Sequence, residues 1–119
     1  MTSHPRVVIV EDDALIAIFL QGTCEQFGAE VVGSAADGEN ALRILREEKP
    51  SHVLMDMRLQ GPMDGADIGM VISREQPDLK IIYVTGSNEP ATLERISQNN
   101  PYRILIKPVV PDQVNEALS

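Results

Sequence analysis

The chain has 119 residues, a length that suits one domain, with 43% hydrophobic and only 3% aromatic residues. Ten basic against eighteen acidic residues leave a formal net charge of −8, which excludes a general nucleic-acid or anionic-membrane binder. The scarcity of rings argues against base stacking as well. Cys24 is the only cysteine, so no internal disulfide exists and a reducing compartment fits. No apolar run reaches transmembrane length, and residues 1–6 contain no signal-peptide core. A cytoplasmic protein without membrane insertion is expected.

Arg6 to Val10 reads as a first strand, β-branched and apolar on both faces, as in the middle of a parallel sheet. It runs into Glu11-Asp12-Asp13. Asp13 is a good helix N-cap, which leaves Glu11 and Asp12 to be explained. Ala14 to Phe27 is predicted as helix, with Leu15, Ile18, Phe19 and Gly22 on one face and Gly28 as its stop. Cys24 reads as a small, partly buried helix residue.

Glu30 to Ser34 is a second, shorter strand, expected at a sheet edge. Asp37-Gly38 turns the chain into a helix from Glu39 to Lys49, with Leu42 and Leu45 inward, ended by Pro50. His52-Val53-Leu54-Met55-Asp56 follows. An apolar run ending in a carboxylate reads as a buried strand that carries Asp56 to the carboxyl edge of the sheet, where open α/β sheets bind ligands.

A loop leads to Asp64, which caps a third helix with Asp67 at the capping-box position and Ile68, Val71 and Ile72 inward. Lys80 to Val84 is a fourth strand, delivering Thr85. Gly86-Ser87-Asn88 is predicted to open a fourth helix, with Leu93 and Ile96 inside and Asn99-Asn100-Pro101 as its stop. Arg103 to Ile106 is a fifth strand, followed by Lys107-Pro108. Pro111 to Leu118 is a short last helix, with Val110 a poor cap. Five alternations of strand and helix predict a parallel, doubly wound α/β domain over residues 1–119.

Glu11, Asp12, Asp56, Thr85 and Lys107 then all fall at carboxyl ends of strands, on one sheet edge. If the first and third strands are neighbours, three carboxylates converge and repel. A cation relieves this. With only oxygen ligands at hand, a hard ion that keeps its waters is expected, which means Mg²⁺. Asp12 and Asp56 would bind it directly, Glu11 through water, and the Arg58 carbonyl would add an oxygen. A carboxylate beside Mg²⁺, with a lysine and a hydroxyl nearby, suggests phosphoryl transfer to Asp56 as an acyl phosphate. Lys107, Thr85 and the backbone at Gly86 would face the phosphoryl oxygens. His52 reads as structural, and Tyr83 and Tyr102 read as packing residues.

At these residues the chain resembles the receiver domain of bacterial two-component response regulators. The matching pieces are residues 8–13, 54–56, 63–65, 84–86 and 106–108, in family order over nearly the whole chain. The resemblance implies a flavodoxin-like sheet of order 2-1-3-4-5 with helices on both faces. It also implies Mg²⁺-dependent phosphorylation of Asp56 by a sensor histidine kinase or phosphotransfer protein, slow self-dephosphorylation, and a downstream protein target rather than DNA. Such a module is not a classical enzyme. The backbone of Met57 would join that of Gly86 at the phosphate. Thr85, Ile104 and Pro108 would belong to the output face, and the Lys107-Pro108 peptide would be cis.

Three departures stand out. The loop from Asp56 to Asp64 is one residue longer than the common pattern. Ile104 and Val109 stand where aromatics are usual, so a threonine–aromatic switch does not carry over. Arg58 and Ser87 are placed to tune the phosphoryl lifetime. If 119 residues is the natural length, a stand-alone receiver is expected. The alternative is a phosphorylation-independent protein-binding pseudo-receiver, against which Asp12, Asp56, Thr85 and Lys107 argue. A cobalamin domain fails because Arg58 stands in place of the ligating histidine. An FMN site fails because Glu11-Asp12-Asp13 repels phosphate.

Overall fold

The structure, a computed structural model, describes residues 4–86 and 88–119. Strands and helices alternate in the order β1 (Arg6–Val10), α1 (Ala14–Gln26), β2 (Glu30–Ala35), α2 (Gly38–Glu48), β3 (His52–Asp56), α3 (Gly65–Glu75), β4 (Lys80–Thr85), α4 (Pro90–Ser97), β5 (Arg103–Ile106) and α5 (Pro111–Leu118). The five strands are parallel and ordered β2-β1-β3-β4-β5. This is the flavodoxin-like order that the resemblance implies.

Why β1, β3 and β4 lie inside is written in their side chains. All three are apolar on both faces, and the alternation of the strand splits them between two cores. Val8, Val10, Val53, Met55, Ile81 and Tyr83 meet Ala41 and Leu45 of α2, Ile68 and Ile72 of α3, and Ile96 of α4. Val7, Ile9, Leu54 and Ile82 meet Leu20 and Cys24 of α1 and Val114, Ala117 and Leu118 of α5. The edge strands β2 and β5 are only partly covered.

Aspartates start three of the helices, as local physics favours. Asp13 accepts from the N–H groups of Leu15 (2.9 Å) and Ile16 (3.2 Å), and Asp37 from that of Asn40 (2.8 Å). Asp64 and Asp67 form a reciprocal capping box, both bonds 2.9 Å long. At α5 Val110 has no side-chain acceptor, and Gln113 reaches back to its N–H at 3.0 Å. The Lys107-Pro108 peptide is cis. No helix among the described residues is long and apolar enough to cross a membrane.

Two expectations need correction. Leu15, Ile18, Phe19 and Gly22 do share a face of α1, but it is the outer one: Leu15 is 79% and Ile18 65% exposed. The inner stripe is Ile16, Leu20, Thr23, Cys24 and Phe27, equally well spaced at i, i+4, i+7, i+8 and i+11. Cys24 is fully buried, and burial pushes its thiol up to about 12. The second correction concerns α4, which starts at Pro90 rather than at Gly86-Ser87-Asn88. A proline holds its predecessor out of the helical region, and Glu89 is extended (φ −64°, ψ 138°). Smaller shifts of a residue or so extend β2 to Ala35 and β4 to Thr85, and move α2 to start at Gly38 and end at Glu48, before the left-handed Lys49.

Candidate functional site

The carboxyl edge of β1 and β3 gathers the acids. Glu11, Asp12 and Asp56 each offer an oxygen, all within 4.8 Å of one another. Glu11 and Asp56 are buried, whereas Asp12 is exposed. Two hydrogen bonds fix Glu11 there. The Glu11 N–H prolongs the β1–β2 ladder to the Ala35 carbonyl (2.9 Å), and its Oε2 accepts from the Asp13 N–H (3.1 Å).

Lys107 enters from the end of β5, where its N–H donates to the Thr85 carbonyl at 2.8 Å. Its Nζ lies 3.2 Å from Asp56 Oδ1 and 3.3 Å from Glu11 Oε1. One ammonium thus faces two buried carboxylates. Burial pushes the Glu11 carboxyl up to about 7; the Asp13 N–H opposes this and the Asp56 charge adds to it. Burial alone would lower the Lys107 ammonium, but Asp56 and Glu11 outweigh it and hold it above its ordinary value. Three carboxylates against one lysine leave a deficit of positive charge, and the donors are all hard oxygens. The residues fit a Mg²⁺ ion.

A cavity of about 890 Å³ opens beside this cluster. Asp56, Met57, Arg58, Thr85, Gly86 and Lys107 all line it, as expected of neighbours at one sheet edge. The Met57 N–H donates to the Val84 carbonyl across 3.3 Å, prolonging the β3–β4 ladder. Ile104 and Pro108 stand apart from the cavity. Ile104 packs against the core shared with α2, α3 and α4, and Pro108 is exposed. Ser87 lies outside the described residues. His52, at the far end of β3, is buried and pairs its Nδ1 with Ser51 Oγ at 2.8 Å, in keeping with a structural role.

The longer loop after Asp56 leans toward the end of β2. The Gln60 N–H donates to the Ala36 carbonyl (3.2 Å), while Leu59 and Met63 pack against the core. The turn into α3 then comes back hard against β3. A methyl group on Gly65 would collide with the carbonyl oxygen of Asp56. Met63-Asp64-Gly65 therefore combines a core anchor, a cap and the glycine that the close approach requires.

Sequence reading missed part of the wall. Thr92 and Arg95 of α4 also line the cavity, and Arg95 reaches Asp64 Oδ2 at 2.7 Å. The signal was the start of α4 at Pro90, which puts residues 92 and 95 on one face.

A family model described as the response regulator receiver domain matches residues 7–119. The chemotaxis protein CheY of Thermotoga maritima is 32% identical over 114 residues, which cover 96% of this chain and 94% of that protein. The response regulator GacA of Pseudomonas aeruginosa is 34% identical over 94 residues, 78% of this chain but only 44% of GacA. Among solved structures, the signal receiver domain of a modulated diguanylate cyclase from Desulfovibrio desulfuricans superposes with a TM-score of 0.89 at 33% identity, covering 97% of this chain and 90% of that one. A receiver is a signalling module rather than a classical enzyme, and it implies a histidine kinase as partner. With its parallel 2-1-3-4-5 sheet and its acidic cluster at the carboxyl edge, this chain belongs to the response regulator receiver domain family of two-component signal transduction.

Proposed function

We propose that residues 1–119 act as one cytoplasmic receiver unit in which Asp56 accepts a phosphoryl group from a sensor histidine kinase or phosphotransfer protein. The observation that carries this reading is the buried Asp56 carboxylate, with Lys107 Nζ at 3.2 Å and two further carboxylates within 4.8 Å. A carboxylate oxygen of Asp56 attacks the phosphorus of a phosphohistidine. The phosphorus–nitrogen bond breaks, the imidazole leaves, and an acyl phosphate forms.

Lys107 balances one phosphoryl oxygen as a point charge, and the Thr85 hydroxyl and the Gly86 N–H donate to others. The Met57 N–H joins them by giving up its long bond to Val84. Asp12, Asp56 and the Arg58 carbonyl would hold Mg²⁺, with Glu11 through water, and the ion would supply positive charge between the two anions. Water later attacks the phosphorus, the bond to Asp56 breaks, and phosphate is released. Arg58 and Ser87 tune the rate of that step. Thr85, Ile104 and Pro108 belong to the face that meets a downstream protein.

The exposed apolar strip of α1 supports a protein partner. Leu15, Ile18 and Phe19 lie on the helix that starts two residues after Asp12. A helical partner resting there would bring a histidine to the mouth of the site.

Intact mass after incubation with acetyl phosphate tests the proposal. One phosphoryl adduct is expected with Mg²⁺, none with a chelator, and none in Asp56→Asn. An adduct that survives both controls would contradict it.

A further inference from the structure

α4 reaches the cavity through Thr92 and Arg95. The guanidinium of Arg95 is engaged with the start of α3. Its Nη1 donates to Asp64 Oδ2 at 2.7 Å, and its Nη2 to Asp64 Oδ1 at 3.3 Å and to Asp67 Oδ1 at 3.4 Å. These are the two carboxylates of the capping box. One turn further along, Asn99 Nδ2 donates to the Ala66 carbonyl at 2.8 Å.

α4 and the residues just after it are therefore tied to the first turn of α3 twice, and the two ties differ. Asn99 is buried and satisfies a backbone carbonyl. The Arg95 side chain is half exposed, so its two-pronged grip on Asp64 is open to competition from another anion. Ile104 has no polar group, and its neighbour across the β4–β5 ladder, Tyr83, is buried with its hydroxyl wedged against Gly69.

Resting on the reading of Asp56 as the acceptor, we propose that Arg95 is a phosphate-responsive latch. A phosphoryl group on Asp56 draws its guanidinium off Asp64 and Asp67, while the Asn99 tie holds as a pivot. The phosphoryl group brings a charge of about −1.5 to −2 into the cavity that Arg95 already lines. Guanidinium forks onto phosphate oxygens as it does onto a carboxylate, and the phosphoryl group carries the larger charge. Phosphorylation then loosens α4 from the α3 cap through this arginine.

The test loads the intact chain with acetyl phosphate and Mg²⁺, counts the adduct by mass, and follows amide hydrogen exchange with and without donor. Wild type, Arg95→Gln and Arg95→Lys are compared. All three are expected to carry the adduct. In wild type, the donor speeds exchange severalfold across α4 and the first turn of α3, while residues around Asn99 stay protected. Arg95→Gln shows that faster exchange before any donor is added, and the donor adds nothing further. Arg95→Lys keeps the charge and responds to the donor. A wild-type response in adduct-bearing Arg95→Gln overturns the latch alone. Absence of any adduct in wild type overturns the acceptor reading, and the latch with it.

Discussion

Gly65 shows how much of the site depends on a missing atom. A Cβ there would run into the Asp56 carbonyl and the Met55 side chain, so only glycine lets α3 start directly beside β3. Gly65→Ala forces backbone apart rather than a pliable side chain. We expect a loss of roughly 1–3 kcal/mol. Thermal unfolding checks this, and a fall in melting temperature of roughly 5–15 °C is expected. At this scale the grouping was legible in the sequence, because Glu11, Asp12, Asp56, Thr85 and Lys107 each end or closely follow a strand. Arg95 was not, because its place depends on where α4 begins, and Pro90 decided that against the preceding Gly86-Ser87-Asn88.

Among the elements, α1 teaches the limit of periodicity. Residues 14–20 are all apolar, so the stripe through Leu15, Ile18, Phe19 and Gly22 and the stripe through Ile16, Leu20, Thr23 and Cys24 fit a helix equally well. Only the sheet beneath decides, and it takes the stripe that carries the small Cys24 and a Thr23 whose hydroxyl is satisfied by the Phe19 carbonyl at 2.8 Å. The outer stripe is then free for a partner. Ile18→Asp should leave stability within about 0.5 kcal/mol, as surface changes do. It should leave phosphorylation by acetyl phosphate unchanged while slowing transfer from histidine kinases at least several-fold. Equal slowing by both donors would remove α1 from the docking surface. The helices α2, α3 and α5 were easier to read, since Asp37, the Asp64/Asp67 box and Pro111 mark their starts.

For the whole molecule, two buried groups at opposite ends of the sheet set opposing pH dependences. Burial and the nearby Lys80 charge hold His52 down at about 4, against an ordinary 6.5. The folded state thus binds fewer protons there than the unfolded chain. The stability it contributes is present above pH 6.5 and is lost as the pH falls toward 4. Glu11 is raised from 4.5 to about 7, so its contribution is present below pH 4.5 and is lost as the pH rises through 7. Between pH 4.5 and 6.5 the two slopes largely cancel. Denaturant unfolding with a chelator present separates them. His52→Gln should become more stable as the pH falls from 7 to 4.5, and Glu11→Gln less stable as it falls from 6.5 to 4. Parallel profiles for both variants would contradict this picture.

The central claim is that the phosphoryl group rests on Asp56, and the most direct measurement locates it. Borohydride reduces an acyl phosphate to the alcohol, which converts the modified aspartate into homoserine and leaves every other carboxylate intact. Peptide mapping of the phosphorylated, reduced chain should place homoserine at position 56 alone. Homoserine at Asp12, or a phosphoryl group retained on a histidine with Asp56 unmodified, would contradict the account.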